Sequence, residues 1–223
     1  YGPNHPKVAA SINNLAIIYS DQGRYAEVET LHKRALAIHM KALGTDHTKV
    51  AGSLNNLANL YRKQGRYAKA ESLYQRALVI RKKILSPEHP ALARIIHNLA
   101  VVFFNQGRYA EAELHYQSAL AIREKLFGPN HPNLAMNLNN LAVLYVNQGR
   151  YAEAEPIHRR VLAIREKALS LDHPGVAQSL NNLSSIFFKQ GHYAEAESLS
   201  RRALAILEKV FGPNHPKVAL RLN

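Results

Sequence analysis

The sequence contains no cysteine, and its basic residues far outnumber its acidic ones. Without cysteine the chain cannot form disulfides, thiolate zinc sites or a cysteine nucleophile. The 16 Asp and Glu residues against 29 Lys and Arg residues give a formal net charge of +13, which favours acidic partners through long-range attraction. No run approaches the roughly 20 apolar residues of a membrane-spanning helix, and the N-terminus lacks the basic and apolar regions of a signal peptide. We therefore expect no membrane partner and a cytoplasmic location.

The chain also lacks the features of an enzyme. Serines recur in register at Ser11, Ser53 and Ser179, with no unique acid or histidine beside them. No glycine-rich phosphate loop follows a strand, because there is no convincing strand. A catalytic site is singular, whereas nearly every polar residue here comes in copies. We predict a chain without catalytic activity and without a cofactor.

The twelve histidines raise the question of a metal site. Six of them recur in a loop motif: His5, His47, His89, His131, His173 and His215. Equivalent loops in stacked repeats lie about 10 Å or more apart, whereas the ligands of one metal lie about 2 Å from it. His32 and His39 are two helical turns apart, which is too far for a chelating pair. We expect these histidines to pack or cap loops, and we predict no metal site.

Internal repetition is the main feature that the sequence does have. Asn13 and Asn55 each begin the string Asn-Asn-Leu, 42 positions apart, and the same interval leads to His97, Asn139 and Asn181. Gln-Gly pairs and tyrosines recur at the same interval. This period predicts one array over 1–223. Its repeats are 6–47, 48–89, 90–131, 132–173 and 174–215, followed by a truncated sixth first helix at 216–223. Neither end carries a polar cap, so we expect a fragment of a longer array.

Each repeat is predicted to contain two helices. The first begins near a proline, which suits the first position of a helix; these are Pro6, Pro90, Pro132, Pro174 and Pro216. Thr48 takes this place once, which predicts a weaker start. Helical periodicity puts one set of side chains on the buried half of the first helix, namely Val8, Ala9, Ile12, Leu15, Ala16, Ile18 and Tyr19. The second helix begins near Tyr25 after a Gln-Gly stop, and its stripe is Val28, Leu31, Ala35, Ile38 and Ala42.

The series Leu15-Ala16, Tyr19, Gly23, Tyr25, Val28 and Ala35 resembles the tetratricopeptide repeat (TPR). That repeat has about 34 residues, whereas this one is longer and carries a Gly-Pro-Asn-His-Pro type of loop. It is similar to the repeats of kinesin light chains and their bacterial relatives. The resemblance implies an all-α fold, a right-handed superhelical solenoid of antiparallel helix pairs. It also implies a protein-interaction scaffold that binds a peptide in its concave groove.

Two neighbouring asparagines in each first helix are the sharpest candidates for a site. Asparagine is a mediocre helix former, so its recurrence in mid-helix requires a reason beyond helix stability. Its carboxamide can bind the backbone of an extended peptide, or it can tie one repeat to the next. The residues implied by the resemblance to kinesin light chains are Asn14, Asn56, Asn98, Asn140 and Asn182. The preceding positions Asn55, His97 and Asn139 complete this group.

Basic and apolar side chains are predicted to share the groove with these asparagines. The basic candidates are Arg62, Arg94, Arg81, Arg123 and Arg165. The apolar candidates are Val101, Phe104, Val143 and Phe188, joined by Met136 and Val146. Exposed apolar clusters tend to mark binding sites, although the curvature of the array could bury these side chains between repeats. We predict a peptide ligand with acidic residues and one or two large apolar anchors, bound with roughly micromolar affinity.

Two alternatives to peptide binding stay open. Nucleic-acid binding fits the sequence pI of about 10.0, but the cations lie mostly on second helices and are interleaved with glutamates. The chain could also be a structural spacer that self-associates. We expect a monomer, with end-to-end stacking as the alternative.

Overall fold

The structure is a computed structural model that describes residues 2–213 and residue 215. This part of the chain contains ten α-helices and no strand, which confirms the all-α prediction. The helices are α1 (Pro6–Asp21), α2 (Tyr25–Leu43), α3 (Thr48–Lys63), α4 (Tyr67–Ile84), α5 (Pro90–Asn105), α6 (Tyr109–Phe127), α7 (Ala135–Asn147), α8 (Tyr151–Ala168), α9 (Pro174–Lys189) and α10 (Tyr193–Phe211). The predicted sixth first helix at 216–223 lies outside the described residues.

The chain divides into two compact units, Tyr1–Ile122 and Arg123–Asn223. In the first unit, each of α1 to α4 packs against the helix that follows it. In the second unit, α7 packs against α8, α8 against α9, and α9 against α10. Helices that contact mainly their neighbours in the chain are characteristic of stacked helix pairs. The predicted helix pairs are confirmed within each unit.

Histidines cap the first helix of every repeat. The Nδ1 atom of His5 accepts the backbone N–H of Lys7 at 3.1 Å. The same bond recurs four times, at His47, His89, His131 and His173. An N-cap acceptor of this kind satisfies one of the free donors at a helix start. The capping role predicted for these five histidines is confirmed.

The first helix of the fourth repeat starts differently from the prediction. Pro132–Leu134 forms a single 3-10 turn, and α7 begins only at Ala135. In this turn the N–H of Ala135 bonds to the carbonyl of Pro132, the shorter bond that often tightens a helix end. Thr48, in contrast, begins α3 at the position that proline occupies elsewhere, because the His47 cap supplies the acceptor there.

Salt-bridged turns after α3 and α5 join each of these helices to the repeat before it. Gly65, at φ 71°, ends α3 in the left-handed conformation that glycine adopts without strain. Arg66 then lies 4.2 Å over the Tyr61 ring and donates from Nη1 to Glu29 of the preceding repeat at 2.6 Å. The Tyr61 hydroxyl donates to the other Glu29 oxygen at 2.9 Å. Hydrogen bonds from Lys33, Arg66 and Tyr61 lower the pKa of Glu29 to about 2.

Small side chains lie where the helices cross. Seven alanines of the second helices are buried, namely Ala35, Ala70, Ala77, Ala112, Ala119, Ala196 and Ala203. Around α1 and α2 they belong to a cluster of Ala9, Ile12, Ala35 and Ile38. Ala42, which is predicted in the same stripe, is exposed near the end of α2. Alanine lets the helix axes approach closely and costs no side-chain entropy on burial.

The predicted buried half of α1 is wrong at two positions. Leu15 and Ile18 are 38% and 54% exposed, whereas Leu57 and Leu60, at the same places in α3, are 4% and 3% exposed. The physical reason is that α3 is covered by the preceding second helix, α2. In the described part of the chain, no second helix precedes α1.

No helix in the described part of the chain is long and apolar enough to cross a membrane. The same residues include no group of three histidine, aspartate or glutamate side chains that could hold a metal ion. His32 and His39 instead contact polar side chains through Nδ1, with Asn13 Oδ1 at 3.2 Å and Ser53 Oγ at 2.8 Å.

Asn137 of α7 is a buried carboxamide with neither of its polar atoms satisfied. Its side chain is fully buried, and neither amide atom has a hydrogen-bond partner among the described residues. Ser53 and Ser179 occupy the same place in other repeats, and Ser179 Oγ donates to the carbonyl of Gly175 at 3.2 Å. A serine at this position can therefore form its hydrogen bond within its own helix.

We predict that Asn137→Ser stabilises the protein by about 1–2 kcal/mol, because each buried polar group left unpaired costs about 1–3 kcal/mol. Urea unfolding followed by circular dichroism measures the effect. The matched control is Asn139→Ser, which removes the acceptor of the 2.9 Å bond from Asn182 and should destabilise by about 1 kcal/mol. A destabilised Asn137→Ser variant would contradict the conclusion that Asn137 is an unsatisfied buried carboxamide.

A buried histidine makes the stability depend on pH. His158 of α8 is 1% exposed. Burial, with a smaller contribution from the positive charge of Arg165, lowers the pKa of His158 from 6.5 to about 4. Between these values the unfolded chain binds a proton that the folded chain does not. The stabilising contribution of neutral His158 to the free energy of unfolding is therefore complete above pH 6.5 and is lost as the pH falls towards 4.

His158→Tyr introduces the residue that stands in the same register at Tyr74 and Tyr116. We expect this variant to reduce the dependence of the free energy of unfolding on pH between about 4 and 6.5. The wild-type free energy of unfolding should fall by up to about 1.4 kcal/mol per pH unit for each such histidine. Burial also lowers the pKa values of His32 and His39, so a residual slope should remain in the variant. Urea midpoints measured from pH 4 to 7 test this, and an unchanged slope would refute it.

Candidate functional site

The first unit has a polar surface formed by one face of α3 and one face of α5. Helical spacing puts Asn56, Asn59 and Lys63 on one face of α3. Arg94 and Asn98 occupy the corresponding face of α5. The two faces are joined by a hydrogen bond from Asn98 Nδ2 to Asn59 Oδ1 at 3.3 Å. We call these five residues the inner surface of the first unit.

A cleft of about 240 Å³ opens beside this surface, between α1 and α3. Asn56, Asn59 and Lys63 line it from α3, and Ile17 and Asp21 line it from α1. Its remaining walls are Asn13, Ala16, Ser20, Val28, His32 and Leu60. The cleft combines carboxamides, one charge of each sign and an exposed apolar side chain. It is large enough for one or two side chains of an extended peptide.

Asn59 is the centre of the hydrogen-bond network on this surface. Its Oδ1 accepts from the Tyr74 hydroxyl at 2.6 Å as well as from Asn98. Burial raises the pKa of Tyr74, and the positive charge of nearby Arg62 opposes that rise. Tyr74 therefore stays a neutral donor that fixes the orientation of the Asn59 carboxamide.

Two arginines with like charges lie close together beside the inner surface. Burial, and then the charge of Arg94, lowers the pKa of Arg81. The Nε atoms of Arg62 and Arg81 are buried without a hydrogen-bond partner among the described residues. Within that part of the chain, none of Arg62, Arg81 and Arg94 forms an ion pair. These three cations are available to an anionic ligand.

The corresponding arginines of the second unit form hydrogen bonds within the protein, and their assignment to the groove stays a prediction. Arg165 donates to the carbonyl of Gly175 and to Ser179 Oγ, both at 2.9 Å. Arg123 donates to the carbonyl of Asn133 at 3.2 Å. Both link a second helix to the start of the next first helix. Arg81 differs because Ile95 stands where Ser179 does and offers no hydroxyl group.

Two residues predicted at the first position of the Asn-Asn pairs are too deeply buried to contact a ligand directly. Asn55 and His97 are 6% and 4% exposed. The His97 ring packs 5.5 Å from that of Tyr116. His97 therefore faces the second helix of its own repeat.

The second asparagine of each pair is found in three different environments. Asn14 is exposed, and Asn56 lines the cleft. Asn98 and Asn182 are half-buried and bond across to the preceding repeat, Asn182 through Asn139 Oδ1. Asn140 is half-buried. The structure thus contains hydrogen bonds between repeats, which were one of the two roles considered for the recurring asparagines.

The apolar candidates divide into exposed and half-buried residues. Phe188 in the second unit is 58% exposed and makes an edge contact with Tyr193. Val101, Phe104 and Val143 are half-buried. Phe188 is therefore the most accessible of these four apolar side chains.

Several cations of the second helices, and two arginines in the turns that precede these helices, are paired with acids. Arg66 and Arg108 bind glutamates of the preceding repeat. Further pairs between repeats are Lys83 with Asp46, Arg160 with Glu124, Arg202 with Glu166, and Lys209 with Asp172. Carboxylates that hold these cations leave them less available for the phosphates of a nucleic acid.

Repeat-based reasoning did not select Asn59, Lys63 or His32 for the site. Asn59 is unique to its repeat, since its equivalents are Ile17, Val101, Val143 and Ser185. A search for recurring residues cannot find a residue that occurs once. The available signal was the helical spacing of Asn56, Asn59 and Lys63 on one face.

Comparisons with known proteins agree with this architecture. Family models of the tetratricopeptide repeat match residues 8–48, 49–125, 92–167, 135–209 and 175–223. No curated protein matches the sequence.

Solved structures of two kinesin light chain-like arrays are similar to this chain. Nearly identical TPR-like repeats assigned to a kinesin light chain of Podosopora anserina give a TM-score of 0.81 at 29% identity, covering 93% of this chain and 98% of theirs. BtubC (BKLC) from P. vanneervenii gives 0.84 at 29% identity, covering 95% and 84%.

RapI shares the fold, with a TM-score of 0.77 at 17% identity over 91% of this chain and 71% of its own. The kinesin light chain-like character inferred from the sequence is confirmed. With repeat models matching nearly its whole length, the chain belongs to the tetratricopeptide repeat family.

Proposed function

We propose that the chain is a non-catalytic scaffold that binds an acidic peptide on the inner surface of its first unit. The fold itself supports a protein-interaction scaffold, since solved structures with this architecture include kinesin light chain-like arrays. The observation that carries the proposal is the distribution of cations. Arg62, Arg81 and Arg94 have no ion pair among the described residues, whereas second-helix cations such as Lys33, Arg160 and Arg202 are paired with glutamates.

The peptide is bound through three kinds of contact. Its carboxylates lie against Arg94 and Arg81, whose mutual repulsion an anion relieves. Its backbone pairs with the carboxamides of Asn56 and Asn98, which offer both donors and acceptors. One apolar side chain of the peptide enters the cleft beside Ile17. In the second unit, exposed Phe188 offers a separate apolar contact.

Charge-assisted hydrogen bonds contribute about 1.5–3 kcal/mol, and neutral ones about 0.5–1.5 kcal/mol. Ordering a flexible peptide offsets much of this, so affinity should be roughly micromolar. Binding should weaken with added salt, because the arginines are partly solvated.

We predict that Arg94→Ala weakens binding of a labelled peptide containing several glutamates and one leucine by about five- to twentyfold, equivalent to about 1–2 kcal/mol. Fluorescence anisotropy at two salt concentrations measures this. Arg94 is exposed and its removal should leave the fold intact. Asn56→Ala should produce a smaller loss.

The matched control is Arg201→Ala, which removes an exposed arginine paired with Glu197 on α10 and should leave the affinity unchanged. The same peptide with glutamine in place of glutamate should bind weakly at both salt concentrations. An equal loss of peptide affinity in Arg94→Ala and Arg201→Ala would refute the proposed binding site. Tight oligonucleotide binding without peptide binding would favour the nucleic-acid alternative.

A further inference from the structure

The second unit has a groove of about 560 Å³ between its second helices α8 and α10. Its floor is formed by Leu183 and Phe187 of α9, which are 1% and 6% exposed. The rest of its lining is Arg159, Leu162, Ala163 and Glu166 from α8, and Ala194, Glu195, Ser198 and Leu199 from α10. A volume of this size is typical of a ligand pocket. We call it the α8–α10 groove.

Small side chains keep the α8–α10 groove open. Ala163 and Ser198 stand where the α4 and α6 helices have the larger Val79 and Leu114. Those two side chains are 56% and 65% exposed, although another repeat lies on either side of theirs in the chain. This surface of the second helices is therefore accessible within an array, and the groove is not a consequence of an uncovered end.

Most turns before the second helices carry an arginine that binds a glutamate of the same repeat. Arg108 lies 4.3 Å over the Phe103 ring and donates to Glu111 at 2.6 and 2.5 Å. The same pair recurs between Arg24 and Glu27 and between Arg150 and Glu153. A carboxylate at this place thus binds a guanidinium group in three repeats.

The turn before α10 has lost the arginine but kept the carboxylate. His192 stands at the arginine position, and its ring centroid lies 5.9 Å from that of Phe187. Glu195 is exposed and forms no ion pair within the part of the chain that the structure describes. The other charges of the lining are paired, Arg159 with Glu155 at 2.9 Å and Glu166 with Arg202 at 2.6 Å. An unpaired carboxylate therefore lies at the edge of an apolar groove.

We propose that the α8–α10 groove binds a basic segment of another protein, through an arginine that pairs with Glu195 and an adjacent aliphatic side chain that lies on Leu183 and Phe187. Charge complementarity identifies this occupant, because the equivalent glutamates Glu27, Glu111 and Glu153 all bind an arginine. Arg159 already lies 5.2 Å over the Phe187 ring, so the arginine of the ligand lies beside Glu195 and not over the ring. Burial of the aliphatic side chain provides the apolar part of the affinity.

This site differs from the inner surface in both position and charge. The α8–α10 groove lies wholly in the second unit, between second helices. The inner surface lies on first helices of the first unit, beside cations that favour an acidic peptide. The two sites therefore bind segments of opposite charge and do not compete.

The test is an NMR titration of the isotopically labelled chain with the peptide Gly-Ser-Leu-Arg-Ser-Gly, blocked at both termini. Saturable shifts should appear in the signals of Leu183, Ser198 and Leu199. The same peptide with glutamine in place of arginine should bind about threefold or more weakly. Glu195→Gln should weaken binding of the arginine peptide by a similar factor and leave binding of the glutamine peptide unchanged.

Two further variants use residues that the chain itself carries at equivalent places. The double variant Ala163→Val, Ser198→Leu introduces the larger side chains of the α4 and α6 helices, and by narrowing the groove it should weaken binding roughly tenfold or more. His192→Arg restores the arginine of the other turns. It should give Glu195 an internal partner and weaken binding about as much as Glu195→Gln does.

Glu197→Gln is the matched control, because Glu197 is an exposed glutamate of α10 that pairs with Arg201 and does not line the groove. This variant should bind the arginine peptide as the wild type does. Circular dichroism should show that every variant keeps its helicity.

Absence of saturable shifts at the groove would overturn the proposal, and so would equal affinities for the arginine and glutamine peptides. Sedimentation in which the wild-type chain dimerises and the Ala163→Val, Ser198→Leu variant does not would assign the groove to a second copy, which also overturns it. None of these results affects the acidic-peptide site, whose test depends on Arg94 in the first unit.

Discussion

The structure depends on one packing constraint: a first helix such as α3 or α9 is covered on one side by the second helix of its own repeat and on the other side by that of the repeat before. A helix apolar over more than half its circumference cannot bury that area against one partner. Leu57 and Leu60 are buried because α2 covers them, and the same residue types on α1 are exposed because α2 covers only the other side of that helix. Stability therefore arises at the junctions between repeats.

The same junctions determine where the charge of the protein is found. Glu29 and Glu71 form ion pairs with Arg66 and Arg108, so these two acidic residues each join a second helix to the turn in the following repeat. Ion pairs of this kind contribute modestly to stability, but they fix the register of one repeat on the next. Among the described residues, Arg62, Arg81 and Arg94 beside the inner surface form no ion pair.

The regular parts of this account could be predicted from the sequence. Periodicity gives the 42-residue repeat and the alanines at the helix contacts. Local chemistry accounts for the histidine N-caps. Residues that depart from the repeat could not be assigned in this way. Asn59 and Asn137 each occur once in their register, and their opposite roles, as a network centre and as an unsatisfied amide, depend on which neighbours surround them. The bonds of Arg165 likewise require the position of Gly175, which periodicity does not specify.

The central claim is that the acidic ligand lies on the first-helix surface and not on the second helices. An NMR titration of the isotopically labelled chain with the glutamate-rich peptide tests it most directly. The account predicts shifts in the side-chain signals of Arg94, Asn56 and Asn98, with α2 and α4 unchanged outside their ends. Shifts concentrated in the paired arginines of the second helices, with Asn56 and Arg94 unmoved, would contradict it.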